Sequence, residues 1–164
     1  MRRPSNDDQL PVPASARYLI RPMLPEDLEP VMAIQRVSFK NPWSADLFKR
    51  ELTHDWSTIL LAEEPQPSGK LLGFLIFWIV HDEVHILNVA AAPEVRKQGV
   101  ARTLIEQALV RGRKASCTLA TLEVRRSNEA AIALYTGFKF RPVGVRPNYY
   151  VDEGEDAIVM VLDL

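Results

Sequence analysis

The stretch from Val84 to Val124 narrows the possible folds most sharply. It opens with an apolar strand, "VHILNVAAA", that gives way to Pro93. A basic turn, "EVRKQG", follows, and a helix is expected from about Gly99 to Arg113 before a second strand, "TLATLEV". Two strands joined through a helix form a parallel pair, and such crossovers are right-handed. The strands before it have no helices between them. "TILLAEE", "KLLGFLIFWIV" and "VHILNVAAA" are separated only by "PQPSG" and His81-Asp82-Glu83, so this part reads as antiparallel. Upstream, Arg17 to Arg21 alternates weakly as a first strand. "PEDLEPVMAIQRVSF" then carries Leu28, Val31, Met32, Gln35 and Phe39 near helical spacing, with Pro25, Glu26 and Asp27 suited to a helix start. "NPW" breaks that helix, and Ser44 can cap a second, "SADLFKRELTH". Downstream come a helix in "SNEAAIALY", capped by Ser127 or Asn128, and strands in "KFRPVGVRPNYY" and "DAIVMVL". The order β-α-α-β-β-β-α-β-α-β-β predicts an α/β (α+β) protein. Its sheet is mixed and mostly antiparallel, with a central parallel strand–helix–strand crossover and helices on both faces.

Residues 17–164 read as one domain, long enough for a sizeable core. Residues 1–16, "MRRPSNDDQLPVPASA", have three prolines and no apolar core, and read as a disordered tail rather than a signal peptide. No apolar run approaches the ~18 residues of a membrane span. A net charge of −1 gives no overall attraction to nucleic acid. Cys117 is the only cysteine, which excludes an internal disulfide and fits a reducing cytosol. It reads as a small buried hydrophobe. The histidines His54, His81 and His85 show no metal-ligand spacing, and His85 reads as a packed or rim residue.

The basic turn is a candidate anion site. The first N–H groups of a helix have no intrahelical partner, and the helix dipole is positive there. Arg96, Lys97, Gln98, Gly99, Val100, Ala101 and Arg102 would lie at that start, with Gly99 and Ala101 small enough for a pyrophosphate to approach the backbone. The loop lacks Gly-x-Gly-x-x-Gly and Gly-Lys-Ser/Thr, which argues against a dinucleotide fold and excludes a P-loop. Taken alone, such a loop is just the beginning of a helix, and its cations a solvated face. Four neighbours add to it. Asn88 to Ala91 could bind an extended cofactor arm as an added strand does. Glu123 brings an acid to the same edge of the sheet, unless it merely pairs with Arg125 or Arg126. Asn128 is an N-cap or a ligand, or both. Tyr135 lies two helical turns along from Asn128, unless it only packs the core.

Together "NPWSADLF", "RKQGVA", "LEVRRSNEAAIALY" and "RPNYY" with "DAIVM" resemble the GCN5-related N-acetyltransferase superfamily, from Tyr18 to the C-terminus. Within it the chain is similar to the RimI type, which acetylates the N-terminal amine of a small-subunit ribosomal protein. The resemblance implies that fold, and acetyl-CoA as cosubstrate without a metal. It places the cofactor on Val89, Ala90 and Ala91, on Lys97 to Arg102, and on Asn128. It makes Glu123 the general base and Tyr135 the general acid. Phe39, Pro42 and Trp43 would border the peptide on one side, and Asn148, Tyr149 and Tyr150 on the other. The implied partner is a protein N-terminus rather than nucleic acid or membrane, for a cytoplasmic monomer or weak dimer. One departure stands out. Where the family ends its last helix with Leu-Gly-Phe, this chain has Phe138, Lys139 and Phe140, with the glycine at Gly137. The left-handed cap either moves to Gly137 or is made by Lys139. Competing readings are acetyl transfer to a small amine or to lysine, and a non-catalytic CoA-binding partner in an assembly.

Overall fold

A computed structural model describes residues 17–164; the stretch read above as a tail lies outside the described residues. Strand β1 (Leu19–Pro22) leads through a 3-10 turn (Pro25–Asp27) to helix α1 (Leu28–Ser38) and helix α2 (Ala45–Glu51). Strands β2 (Ser57–Glu63), β3 (Leu71–Val80) and β4 (Glu83–Ala91) follow, then helix α3 (Val100–Lys114) and strand β5 (Leu119–Arg125). Helix α4 (Glu129–Gly137), strand β6 (Arg141–Tyr150) and strand β7 (Glu155–Asp163) complete the chain. This is the predicted element order, with α3 displaced by one residue at each end. The strands form a seven-stranded sheet in the order β1-β2-β3-β4-β5-β7-β6. β4 and β5 are the expected parallel pair, in register from Glu83↔Leu119 to Ile86↔Leu122. β1·β2, β5·β7 and β6·β7 are antiparallel.

Local chemistry fixes the helix starts. Ser44 Oγ accepts from the Leu47 amide at 3.3 Å, and Asn128 Oδ1 accepts from the Ala131 amide at 3.1 Å, as N-caps do. At α1 the Asp27 carboxylate accepts from the Leu24 amide at 2.8 Å and is held below its usual range by the Arg21 guanidinium. Helix α3 buries Val100, Leu104, Ile105, Ala108 and Leu109 along one stripe.

The described residues gather into two compact units. The first runs up to Ile76 and includes Val89–Ile105. Its core holds Val31, Met32, Phe48, Leu60, Leu61 and Phe74. Phe74 meets Phe48 of α2 edge-on at 5.6 Å, whereas its neighbour Gly73 faces α3. Successive strand residues point to opposite faces, so α2 and α3 lie on opposite sides of β3. A Cβ on Gly73 would come 2.6 Å from the Ala90 carbonyl oxygen and 2.8 Å from Val100 Cγ1, which is why no side chain fits there. The second unit comprises Phe77–Asn88 and Glu106–Leu164. In it Ala120, Leu122 and Val124 of β5 are buried, while Thr121, Glu123 and Arg125 occupy the opposite face.

Candidate functional site

In the first unit β4 ends at Ala91, and a 3-10 turn (Pro93–Val95) leads into the basic loop. Lys97 and Gly99 both take left-handed backbone, at φ 63° and 84°, before α3 starts at Val100. At Gly99 an added Cβ would meet nothing within 4 Å, so the backbone angle, not crowding, is what calls for glycine. The space over it is open, as a site approached by a phosphate requires. The loop is braced from within the same unit. Tyr18 Oη donates to the Gln98 carbonyl at 2.6 Å, and Thr103 Oγ1 donates to the Gly99 carbonyl at 2.8 Å. Arg96, Lys97 and Arg102 are exposed around it. Val89 and Ala91 are half-buried on one side of β4, and Ala90 is buried on the other. These features suit an anionic, phosphate-bearing group laid at a helix start.

The predicted peptide-side residues of this unit are near one another in sequence. Phe39 ends α1 in extended backbone and is half-buried, and Pro42 is exposed. Trp43 lies against Phe48 with ring centroids 5.8 Å apart, so the buried Phe48 anchors the tryptophan.

In the second unit Glu123 stands on the half-open face of β5. His85 of β4 is in register with Thr121, and so shares the face of Glu123 two residues on. Its Nε2 lies 2.8 Å from Glu123 Oε2. Arg146 of β6 reaches the other oxygen, with Nη2 at 3.4 Å from Oε1. On β7 the residue opposite both Arg125 and Arg146 is Ala157, and the one opposite Glu123 is Val159. The His85 hydrogen bond, against the cost of burial and helped by Arg146, holds the Glu123 carboxyl below the usual carboxylate range. His85 also packs edge-on to Trp78 at 5.9 Å, so it is packed as expected but also serves the acid. Arg125 and Arg126, the expected salt-bridge partners of Glu123, are engaged elsewhere. Arg125 lies 2.9 Å from Glu153 Oε2 and stacks 3.9 Å over the Tyr150 ring, and Arg126 pairs with Asp156.

Tyr135 is buried, and its ring meets Phe140 at 5.9 Å. Burial raises its phenol far above the ordinary range, and Tyr150 adds to the effect. Tyr150 is itself raised by burial, with a smaller contribution from Glu123. The Tyr149 and Tyr150 rings meet edge-on at 5.1 Å. Asn148, at φ 52°, donates its amide to Asp156 Oδ1 at 2.8 Å and turns the chain ahead of them. Asn128 caps α4 from this unit. The cap question is resolved in favour of Lys139, at φ 76°. The Phe140 amide donates to the Tyr135 carbonyl at 3.1 Å and the Lys139 amide to the Thr136 carbonyl at 2.9 Å. That pair of bonds, with Phe140 on Tyr135, is a Schellman ending.

Comparisons with known proteins show the family. A model of the acetyltransferase (GNAT) family matches residues 28–140. A Bacillus subtilis protein is 39% identical over 142 residues, 86% of this chain and 92% of its own. The [ribosomal protein bS18]-alanine N-acetyltransferase of Escherichia coli is 34% identical over 140 residues, 84% of this chain and 92% of its own. The crystal structure of the ribosomal-protein-S18-alanine N-acetyltransferase from Escherichia coli superposes with a TM-score of 0.80 at 33% identity, covering 89% of this chain and 93% of that one.

Proposed function

Because the chain belongs to the acetyltransferase (GNAT) family, we propose that it moves the acetyl group of acetyl-CoA to the N-terminal α-amine of a protein, the N-terminal alanine of a small-subunit ribosomal protein. The observation that carries this reading is Glu123, an ionised carboxylate held by His85 and Arg146 on the face that also bears Arg125 under Tyr150. The names of the relatives point to the same acceptor.

In this reading the loop of the first unit from Arg96 to Arg102 holds the phosphates of acetyl-CoA, with Val89, Ala90 and Ala91 along its arm; of the second unit, Asn128 at the start of α4 is the cofactor residue. When bound, the cosubstrate supplies an acetyl thioester. Backbone N–H groups near Val89 and Ala90 would steady negative charge on the acetyl oxygen. The peptide-side residues are Phe39, Pro42 and Trp43 of the first unit and Asn148, Tyr149 and Tyr150 of the second; aromatic rings with polar tips suit a peptide backbone. Glu123 is a weak base, because its pKa is lowered, and an α-amine has a pKa of about 7.7–8.0. It therefore does not strip a free ammonium efficiently. Its proton comes later. Once the amine nitrogen has bonded to the acetyl carbon, its N–H protons are far more acidic, and Glu123 accepts one directly or through a water. Tyr135 stays neutral throughout the working pH range. A phenol so weak as an acid steadies the departing sulfur, whose thiol pKa is about 8.5, chiefly by donating a hydrogen bond.

The test is turnover of acetyl-CoA with free Ala-, Ser- and Met-starting hexapeptides, an N-blocked peptide with an internal lysine, and spermidine. Turnover is expected on free N-termini, and Glu123→Gln should reduce it by about a hundredfold or more. Turnover confined to lysine or spermidine would overturn the acceptor. Tight acetyl-CoA binding with no turnover on any acceptor would favour a CoA-binding partner of an assembly.

A further inference from the structure

Both oxygens of Glu123 are occupied before any amine arrives. His85 Nε2 holds Oε2 at 2.8 Å, and Arg146 Nη2 stands 3.4 Å from Oε1. The two contacts differ in kind. The His85 side chain is 30% exposed and within hydrogen-bond distance, whereas that of Arg146 is 58% exposed and farther away. In the same pose its guanidinium carbon lies 5.9 Å from the centroid of the Tyr149 ring. An acceptor amine approaching Glu123 must then come up beside a guanidinium that cannot lose its charge.

We propose that Arg146 is a specificity-determining residue: lying on Glu123, its guanidinium admits an amine that arrives neutral and disfavours one that arrives as a cation. The inference rests on the reading of Glu123 as the group that meets the acceptor. Near pH 8 about half of an α-amine population is neutral, whereas a lysine amine, with a pKa of about 10.4, is almost wholly cationic. A bare carboxylate would attract either ammonium as an ion pair. With Arg146 in place its charge is already balanced, and a second cation within a few ångströms meets repulsion. Selection by a built-in repulsive element is a common route to specificity. The other groups that face Glu123 do not supply this effect. His85 of β4 is its hydrogen-bond partner, Tyr150 of β6 has its phenol raised, and Arg125 is engaged by Glu153 and Glu155.

The experiment compares kcat/KM from pH 7 to 9.5 for a peptide with a free N-terminal alanine and for the same peptide N-blocked and carrying one lysine. The wild type, Arg146→Gln and Arg146→Lys are measured side by side. Wild type should prefer the free N-terminus. Arg146→Gln should shrink that preference about fivefold, the scale of a partly exposed charge contact, by raising the rate on the lysine peptide. Arg146→Lys, which keeps the charge, should restore it. A preference unchanged in Arg146→Gln, even with both rates lowered alike, overturns the proposal and leaves the N-terminal reading standing. A wild type inactive on free N-termini overturns that reading, and the proposal with it.

Discussion

At the scale of single residues, Glu123 is set by its neighbours. Its pKa is lowered, so the contact with His85 contributes stability above the ordinary carboxylate range and loses it as pH falls below that range. On the proposed mechanism the acid stays ionised across the pH range of an assay, and the acid limb of the rate profile is expected to follow the acceptor. The expected profile of kcat/KM falls tenfold per pH unit below the amine pKa of about 7.7–8.0, and the limb moves when a less basic amine is used as acceptor. A limb fixed in place for every acceptor would mean that a group of the protein, not the substrate, sets it. Replacing His85 by alanine removes the hydrogen bond that is the first cause of the lowered pKa. Because two elements supply the partners of one acid, neither could be read from the sequence around Glu123. There Arg125 and Arg126 are the nearer candidates in the chain, and they face other acids.

At the scale of elements, the end of α4 shows a local rule broken and repaired. Left-handed backbone at an L-residue costs about 1–2 kcal/mol, and a glycine there gives part of that back through its greater freedom when unfolded. Lys139→Gly should stabilise the protein by about 0.5–1 kcal/mol. Gly137 lies in the helix, where a Cβ would meet nothing within 4 Å, so Gly137→Ala should add up to about 1 kcal/mol. Urea unfolding followed by circular dichroism would show both as higher midpoints with unchanged slope. A lower midpoint for Lys139→Gly would mean that the lysine side chain makes a contact worth more than the strain. The caps at Ser44 and Asn128 were plain in the sequence because an N-cap needs only its own residue and an amide three positions on. The ending at Lys139 was left open because two residues could supply it, and only the backbone angle decides.

At the scale of the whole molecule, the strand–helix–strand crossover was readable because a parallel pair cannot be closed by a turn, and β4 and β5 pair as that rule requires. The order of the last two strands was not. β7 lies between β5 and β6, and nothing in an alternating pattern says which of two late strands takes the inner place. That order brings Arg146 across β7 to Glu123. It is the step at which periodicity stops and long-range pairing begins to decide chemistry. The basic loop, in contrast, was legible as a turn leading into a helix start because it is continuous in sequence, and it stands as a candidate anion site.

Cys117 gives the molecule a property unrelated to its fold or its acid. It is the single thiol of the chain, buried, and burial pushes its pKa up. Thiolate is the reactive form, so the folded protein should be nearly silent towards a chromogenic disulfide reagent. The colour that develops during turnover then counts liberated CoA without a protein background. Once the chain is unfolded by urea, one fast-reacting equivalent per molecule should appear; a fast equivalent in buffer alone would show the thiol to be accessible. A single reagent thus keeps two clocks, one for the reaction and one for the opening of the protein that performs it.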